Sequence, residues 1–550
     1  MLKIYKLFIF LLIILTGSYL RLVNLETNPS GLYVDEASTG VNAWSILQTG
    51  KDEYGKVFPS AFRFFGSYTP PLYTYTTSLV MYFNGLSIAS IRLVSALSGI
   101  LMIVIFFHLL KSLNIFSVKT IFLSLFLFVI TPWAIFYSRI GYEINLAFLF
   151  YSTGILFLWL SLKKSIYLIL AFIFLALSSN TYHSEKLLVP ITIILFLIIF
   201  RKVLFKKENI KILILSFFLY LIILIPQILI FFTPANTVRG VGLFYSSAIV
   251  NQANQSFLPF IFSIPLSFMS EFFSQYLSYF SPRNLFFQGD SDLQRGFPEL
   301  SVFYWWMVIF YFVGLFKLFN KINNTSSKFI LLIFFLTPIP AALTGDPFST
   351  QRALPLLLPV MLIISLGIET ILKWKFKTSL LIILILSALS LLYLYRSMAV
   401  LLPNERARVW GYGFRQLAAE MKKRPVEKFL IDTSRIKPAY IELAFYLKIP
   451  PEKLQFTVDP ELKNRYYQDT KWNDHYVLDP FETRTINWEE DIYKDQILVG
   501  DELAVSEGQA REHFLINIFE IKSPSGEIIF KGYKTDPAKK CSTDYVKSKC

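Results

Sequence analysis

The sequence is short of the side chains that hold metals and build disulfide scaffolds: 550 residues carry 2 cysteines and 4 histidines. Both cysteines, Cys541 and Cys550, lie at the extreme C-terminus. With no Cys-x-x-Cys pair and no Cys/His cluster, the pattern speaks against a structural zinc site. A Cys541–Cys550 disulfide in an oxidising compartment and two separate thiols both stay open. Charge is scarce as well. Asp, Glu, Lys and Arg make up 17% of the chain, against about 25% in an ordinary soluble domain. There is no glycine-rich phosphate loop and no internal repeat. The net charge is +15, but the basic residues sit in short links between apolar runs rather than on one soluble face, which speaks against nucleic-acid binding.

What fills the space is apolar. Hydrophobic residues are 54% of the chain, with mean hydropathy +0.51. The excess is segmental, which is the mark of bilayer-spanning helices. The 55 Phe and 30 Tyr read as lipid-facing packing and interfacial belts. Apolar runs at 4–20, 88–110, 118–136, 143–162, 165–180, 187–200, 210–232, 300–320, 329–343, 353–372 and 378–396 predict a polytopic α-helical membrane protein of about 11 spans. Residues 4–20 are like a signal sequence but no Ala-x-Ala-like site follows, so they are read as an uncleaved first span.

Alternate links hold the lysines and arginines: Lys111 and Lys119, Lys163 and Lys164, the 201–211 cluster, Lys317 to Lys328, and Lys373 to Lys377. The positive-inside rule makes these links and the N-terminus of this multi-pass chain cytoplasmic. Residues 1–398 then form a transmembrane domain with two long exterior loops, about 21–87 and 233–299. Residues 399–550 form an exterior soluble α/β domain. In that tail the pattern predicts helices over 405–423 and 438–447. Strands are predicted over 428–433, 454–458, 475–479 and 497–500, with a hairpin from 514 to 534 turning at Pro524-Ser525-Gly526. The stretch 258–270 is apolar but too short to span, and suits a helix lying along the membrane surface.

The residues that carry chemistry sit in the exterior links. Gly31-Leu32-Tyr33-Val34-Asp35-Glu36-Ala37 sets two adjacent carboxylates after an apolar stretch at the membrane edge. A carboxylate there can take a proton from a nucleophilic hydroxyl; a helix first turn is the plain alternative. Tyr68-Thr69-Pro70-Pro71-Leu72-Tyr73 follows in the same loop. Pro70 and Pro71 can open a helix and read as a rigid elbow, with Tyr68 a candidate substrate contact. Arg92, Arg139 and Arg352 recur at exterior membrane edges, and Arg295 lies in the second long loop. An ion pair with Glu143 for Arg139, and snorkelling for Arg92 and Arg352, are the plain readings. Convergence on a phosphate is the sharper one, since the arginine fork binds phosphate in two places at once. His183, in the short polar link 180–186, is a candidate ligand contact; alone it is poor ground for a metal site.

Taken in order, these segments resemble a known family. Asp35-Glu36 after the first span, Pro70-Pro71-Leu72, Arg92 in IRLVSALSGIL, SRIGYE, RNLFFQGDSDLQR and QRALPLLLP together resemble the GT-C glycosyltransferases of the protein O-mannosyltransferase and aminoarabinose-transferase kind. The resemblance covers about residues 1–400. It implies a membrane enzyme that takes a sugar from a polyprenyl-phosphate carrier and passes it, with inversion, to an acceptor protein, lipid or glycan at the exterior face. The family's catalytic acid maps onto Asp35, with Glu36 beside it. Its phosphate-binding arginine maps onto Arg92, with Arg139 and Arg352 as further carry-overs. No cofactor beyond the lipid-linked donor is implied; a divalent metal and the oligomeric state stay open. The Trp-Trp-Asp motif of the oligosaccharyltransferase branch is missing, since Trp305-Trp306 is followed by Met307. The inserted domain of eukaryotic mannosyltransferases has no room; beside the resemblance, that and the compact loops imply a multi-pass protein of a bacterial or archaeal plasma (inner) membrane. Two other readings stand beside this one: a surface-polysaccharide polymerase or ligase using a diphosphate-linked lipid, and a transporter or scaffold without chemistry.

Overall fold

In a bilayer an apolar segment must satisfy its own backbone, and a helix does so within one stretch of chain. The computed structural model describes residues 2–243, 246–458, 460–544, 546 and 550; residues 244 and 245 of the second long loop lie outside the described residues. Among the described residues 7 helices are long and apolar enough to cross a membrane: Ile4–Leu22, Ile88–Leu113, Glu143–Ser161, Ile210–Leu229, Thr325–Ala342, Leu354–Trp374 and Phe376–Glu405. Val118–Ile130 and Pro132–Ser138 make an eighth if a pair bent by 53° counts as one span. Tyr167–Ser179, Glu185–Ile199 and Trp305–Asn320 are shorter. Each apolar run in the sequence is thus helical, while length and apolarity alone support 7 or 8 crossings.

The bend has a local cause. Pro132 has no N–H to continue the ladder, and Thr131 before it takes extended angles, φ −62° and ψ 127°. The Trp133 amide turns instead to the Val302 carbonyl at 3.3 Å.

The described residues divide into two compact units. The first is Met1–Leu25, Thr69–Tyr73 and Arg92–Met398; the second is Glu26–Tyr68, Thr74–Ile91 and Ala399–Cys550. In the first, the Leu357–Trp374 helix is buried along most of its length, as expected of a helix that is apolar on nearly every face as far as Ile368. It packs closely against Val308–Asn320 because each helix offers a glycine to the other's backbone. A Cβ on Gly314 would fall 1.9 Å from the Ile363 carbonyl oxygen, and one on Gly367 1.9 Å from that of Phe310. Close backbone approach at small residues is a main source of helix association in lipid. Gly367→Leu should therefore cost about 1–3 kcal/mol or more, read as a lowered unfolding temperature of the purified protein. An unchanged temperature would mean that the crossing does not hold these helices.

The second unit contains a six-stranded mixed sheet. Its strands are β1 (Phe429–Ile431), β2 (Tyr476–Leu478), β3 (Phe481–Thr483), β4 (Ile497–Gly500), β5 (Ile516–Lys522) and β6 (Ile528–Lys534). The order is β2-β3-β1-β4-β6-β5, with β1 parallel to both β3 and β4 and the remaining pairs antiparallel. The predicted hairpin is present as β5–β6, with Gly526 at φ 89° in its turn. Two elements differ from the sequence reading. Of residues 454–458, read as a strand, 454–457 belong to the helix Pro451–Thr457 and Val458 ends it in extended backbone. Pro451 at its first position and Glu452 in its first turn favour that start. The predicted 405–423 helix runs only over Phe414–Lys423, because Gly411 (φ 68°) and Gly413 (φ 109°) turn the chain before it. The long loop after the first apolar helix supplies part of this unit's core. Leu32, Ala37 and Val41 pack in one cluster with Tyr440, Leu443, Phe429 and Ile497. Cys541 and Cys550 are joined in a disulfide.

Candidate active site

The predicted arginines fall into two groups, both in the first unit. Arg92 and Arg139 come together with Arg21 around the carbonyl end of the Leu2–Leu22 helix, where the last turns leave acceptors without helical partners. Arg92 Nη1 donates to the Leu25 carbonyl at 2.9 Å. Arg139 donates from Nη1 to Leu20 at 2.9 Å and from Nη2 to Val23 at 2.8 Å. Arg21 Nη1 donates to Gly17 at 3.1 Å and Val129 at 3.3 Å. All three are fully buried, so Arg92 does not snorkel. Cations favour the C-terminal end of a helix dipole, which helps hold like charges together there.

Arg295 and Arg352 form the other group. They come from the two Gly-Asp loops, GDSDLQR (289–295) and GDPFSTQR (345–352). Arg352 Nη1 meets Asp346 Oδ2 at 2.8 Å and donates to Thr344 Oγ1 at 2.8 Å. Arg295 Nη2 meets the same Asp346 Oδ2 at 3.2 Å, its Nε meets Asp292 at 3.1 Å, and its Nη1 donates to Ser349 Oγ at 3.2 Å. The arginine side chains are 17% and 16% exposed, and Asp346 is 44% exposed. Two largely buried guanidinium groups thus aim at one oxygen on a carboxylate that faces outward. Asp290 pins the loops together by accepting from the Thr350 amide at 2.8 Å and its hydroxyl at 3.0 Å. Burial pushes its carboxyl above the ordinary carboxylate range, opposed by those hydrogen bonds and by Arg295. A recess lined by Trp133, Phe136, Phe297, Asp290 and Arg295 opens beside this pair.

In the second unit, Asp35 and Glu36 open the helix Val34–Thr49. Glu36 is fully buried and its carboxylate accepts from the Tyr33 amide at 3.2 Å, while Asp35 is half-buried. Tyr68 is buried, with its hydroxyl 2.7 Å from the Asp469 carbonyl oxygen and 3.4 Å from Arg63 Nη1. Pro70 and Pro71 directly precede the helix Leu72–Asn84. His183, in the first unit, is half-buried between Tyr167–Ser179 and Glu185–Ile199. Among the described residues no group of three or more His, Cys, Asp and Glu is arranged to hold a metal ion.

Sequence reasoning passed over two features. Asp346 gains meaning only when the fold brings Arg295 and Arg352 to it; the repeated Gly-Asp step at 289 and 345 is the signal that marked it. The other is a buried acidic pair in the second unit, Asp52-Glu53. Glu53 accepts from Asn42 Nδ2 at 2.9 Å and the Tyr440 hydroxyl at 3.0 Å. Asp52 accepts from the Tyr54 and Lys56 amides at 3.0 and 2.8 Å and from the Tyr466 hydroxyl. Burial outweighs these bonds and raises Asp52 to about 6 and Glu53 to about 7. Unfolded, both would titrate near 4. The folded chain then binds protons more tightly, and stability falls as pH rises from about 4 through 7. The unfolding temperature of the full chain should drop across that window, and Glu53→Gln should flatten much of the slope. A wild-type profile that is level or rising there would show the pair to be ionised at little cost.

No family model matches the chain, and no curated protein does. Solved structures do match, and they identify the fold as that of the GT-C membrane glycosyltransferases. The aminoarabinose transferase ArnT from Cupriavidus metallidurans, solved bound to undecaprenyl phosphate, is similar at TM-score 0.53 and 13% identity, over 95% of this chain and 97% of that one. The archaeal oligosaccharyltransferase AglB from Archaeoglobus fulgidus, solved with an inhibitory peptide and a dolichol-phosphate, is similar at TM-score 0.50 and 13% identity, over 97% of this chain and 74% of that one.

Proposed function

We propose that the protein is an inverting glycosyltransferase that moves a sugar from a polyprenyl-phosphate carrier to an acceptor hydroxyl at the exterior face of the plasma (inner) membrane. A fold is shared by many chemistries, so the reading rests on a site: the Arg295–Arg352 pair aimed at one outward-facing anion position. A lipid-phosphate leaving group needs that kind of preorganised positive charge as its bond to the sugar breaks. The polyprenyl phosphates bound in the ArnT and AglB structures support the same donor class.

In the proposed reaction Asp35 takes the proton of the acceptor hydroxyl. The acceptor oxygen attacks the anomeric carbon from the face opposite the phosphate. The carbon–oxygen bond to the phosphate breaks with its electron pair staying on the phosphate oxygen, which leaves polyprenyl phosphate and an inverted glycoside. Glu36, held by the Tyr33 amide, positions the turn that carries Asp35. Arg295 and Arg352 hold the phosphate, and Arg92 and Arg139 add to the positive field. Tyr68 and His183 remain candidate substrate contacts, and Pro70-Pro71 the elbow of the acidic loop.

The test is donor consumption. Purified protein is incubated separately with a polyprenyl-phosphate sugar and a polyprenyl-diphosphate glycan. Turnover of the first with an inverted product supports the proposal. Turnover of the diphosphate alone moves the protein to the polymerase or ligase class, and consumption of neither points to a transporter or scaffold.

A further inference from the structure

In the first unit, three helix ends and a link enclose a cavity of about 280 Å³. They are the start of Thr325–Leu336, the ends of Val308–Asn320 and Leu357–Trp374, and, through Ile115, the link that leads into Val118–Ile130. Its polar lining includes Lys317, Lys321, Lys373, Glu369 and Asn324. The single carboxylate is already engaged. Glu369 Oε1 pairs with Lys373 at 2.8 Å, and its Oε2 accepts from the Ser117 amide at 2.9 Å and the Thr120 hydroxyl at 2.6 Å. The side chains of Lys317 and Lys321 make no ion pair or hydrogen bond among the described residues. The cavity therefore carries two uncompensated positive charges. Asn324 places no side-chain oxygen on the amides that open the Thr325–Leu336 helix, which adds donors on the same side.

The surroundings are apolar. Ile115 and Leu366 form part of the wall. Phe316, Phe319 and Ile322, interleaved with the two lysines, are 71%, 47% and 48% exposed. A cationic recess beside outward-facing hydrophobic side chains, at the ends of bilayer helices, matches a phospholipid: phosphate inside, acyl chains along the outer face. We propose that this cavity binds the headgroup of an anionic phospholipid, a phosphate diester with net negative charge, at the lysine-rich rim of the helical bundle. The proposal does not depend on the glycosyltransferase reading.

The experiment uses the full chain purified in detergent and titrated with phosphatidylglycerol or phosphatidylcholine, with bound lipid read by native mass spectrometry. Wild type should retain phosphatidylglycerol in preference to phosphatidylcholine. Lys317→Gln/Lys321→Gln should weaken phosphatidylglycerol binding about thirtyfold, from two lysine contributions at the membrane surface. Lys202→Gln/Lys206→Gln, a pair of exposed lysines in another link, should leave it unchanged. Unfolding temperatures in phosphatidylcholine check that both variants fold. An equal loss in the two variants would reduce the effect to general attraction between basic links and anionic lipid, and overturn the site. So would no loss in the first variant. Inorganic phosphate that displaces the lipid at matched concentration would overturn the lipid assignment in favour of a free-anion site.

Discussion

Asp35→Asn should lower sugar transfer by about 10²–10⁴-fold, the usual contribution of a positioned general base. That is about 3–5 kcal/mol of transition-state free energy. The fold should hardly notice. The side chain is half-buried in the first turn of the Val34–Thr49 helix, and Asn keeps its shape. Losing a negative charge at a helix start costs only about 0.3–1 kcal/mol. The disparity makes the test clean, because a loss of activity at unchanged unfolding temperature assigns the effect to chemistry. Glu36→Gln separates the two carboxylates. Glutamine can still accept from the Tyr33 amide, so a positioning residue should survive the change with less than about a tenfold loss, far below the range of a lost general base. Transfer by Asp35→Asn within threefold of wild type would remove Asp35 as the base. A collapse in Glu36→Gln with Asp35→Asn intact would exchange their roles.

The helical character of the bundle was open to reading because a bilayer leaves apolar segments one local solution. The exact number of crossings was not, since 13- to 16-residue helices such as Tyr167–Ser179 and Trp305–Asn320 look in sequence like the full spans beside them. In the tail, β1 and β4 follow from short continuous apolar runs, and the β5–β6 hairpin from its Pro-Ser-Gly turn. Residues 454–458 do not, because Leu454, Phe456 and Val458 alternate like a strand while Pro450-Pro451 launches a helix. Individual candidate residues were visible as charges out of place in apolar surroundings. Their partnerships were not. Nothing local links Arg295 to Asp346, or Glu53 to Tyr440 and Asn42, across 387 and 11 residues of chain. The shared core of the long loop after the first apolar helix and the tail is hidden for the same reason: each segment alone shows an apolar face, and only the fold says which faces meet.

Asp346 supplies the prediction of opposite sign. If Arg295 and Arg352 hold the donor phosphate, Asp346 occupies the place of that phosphate in the unliganded protein, and the lipid must displace it. Asp346→Asn then removes a competing anion and frees two guanidinium groups. A hydrogen bond to a charged group is worth about 1.5–3 kcal/mol, so the donor KM should fall about tenfold or more, with kcat little changed. Arg352→Ala should do the reverse and lower kcat/KM by about 10²–10³, as when a preorganised donor to developing charge is lost. Arg352→Lys should recover only part of that, because an ammonium cannot offer the planar fork. A purely structural cluster gives another pattern. There Asp346→Asn would loosen the loops that Asp290 and Thr350 tie together, and both donor affinity and stability would decline along with those of Arg352→Ala. Parallel losses in the two variants would therefore defeat the phosphate assignment, which requires a gain in one beside a loss in the other.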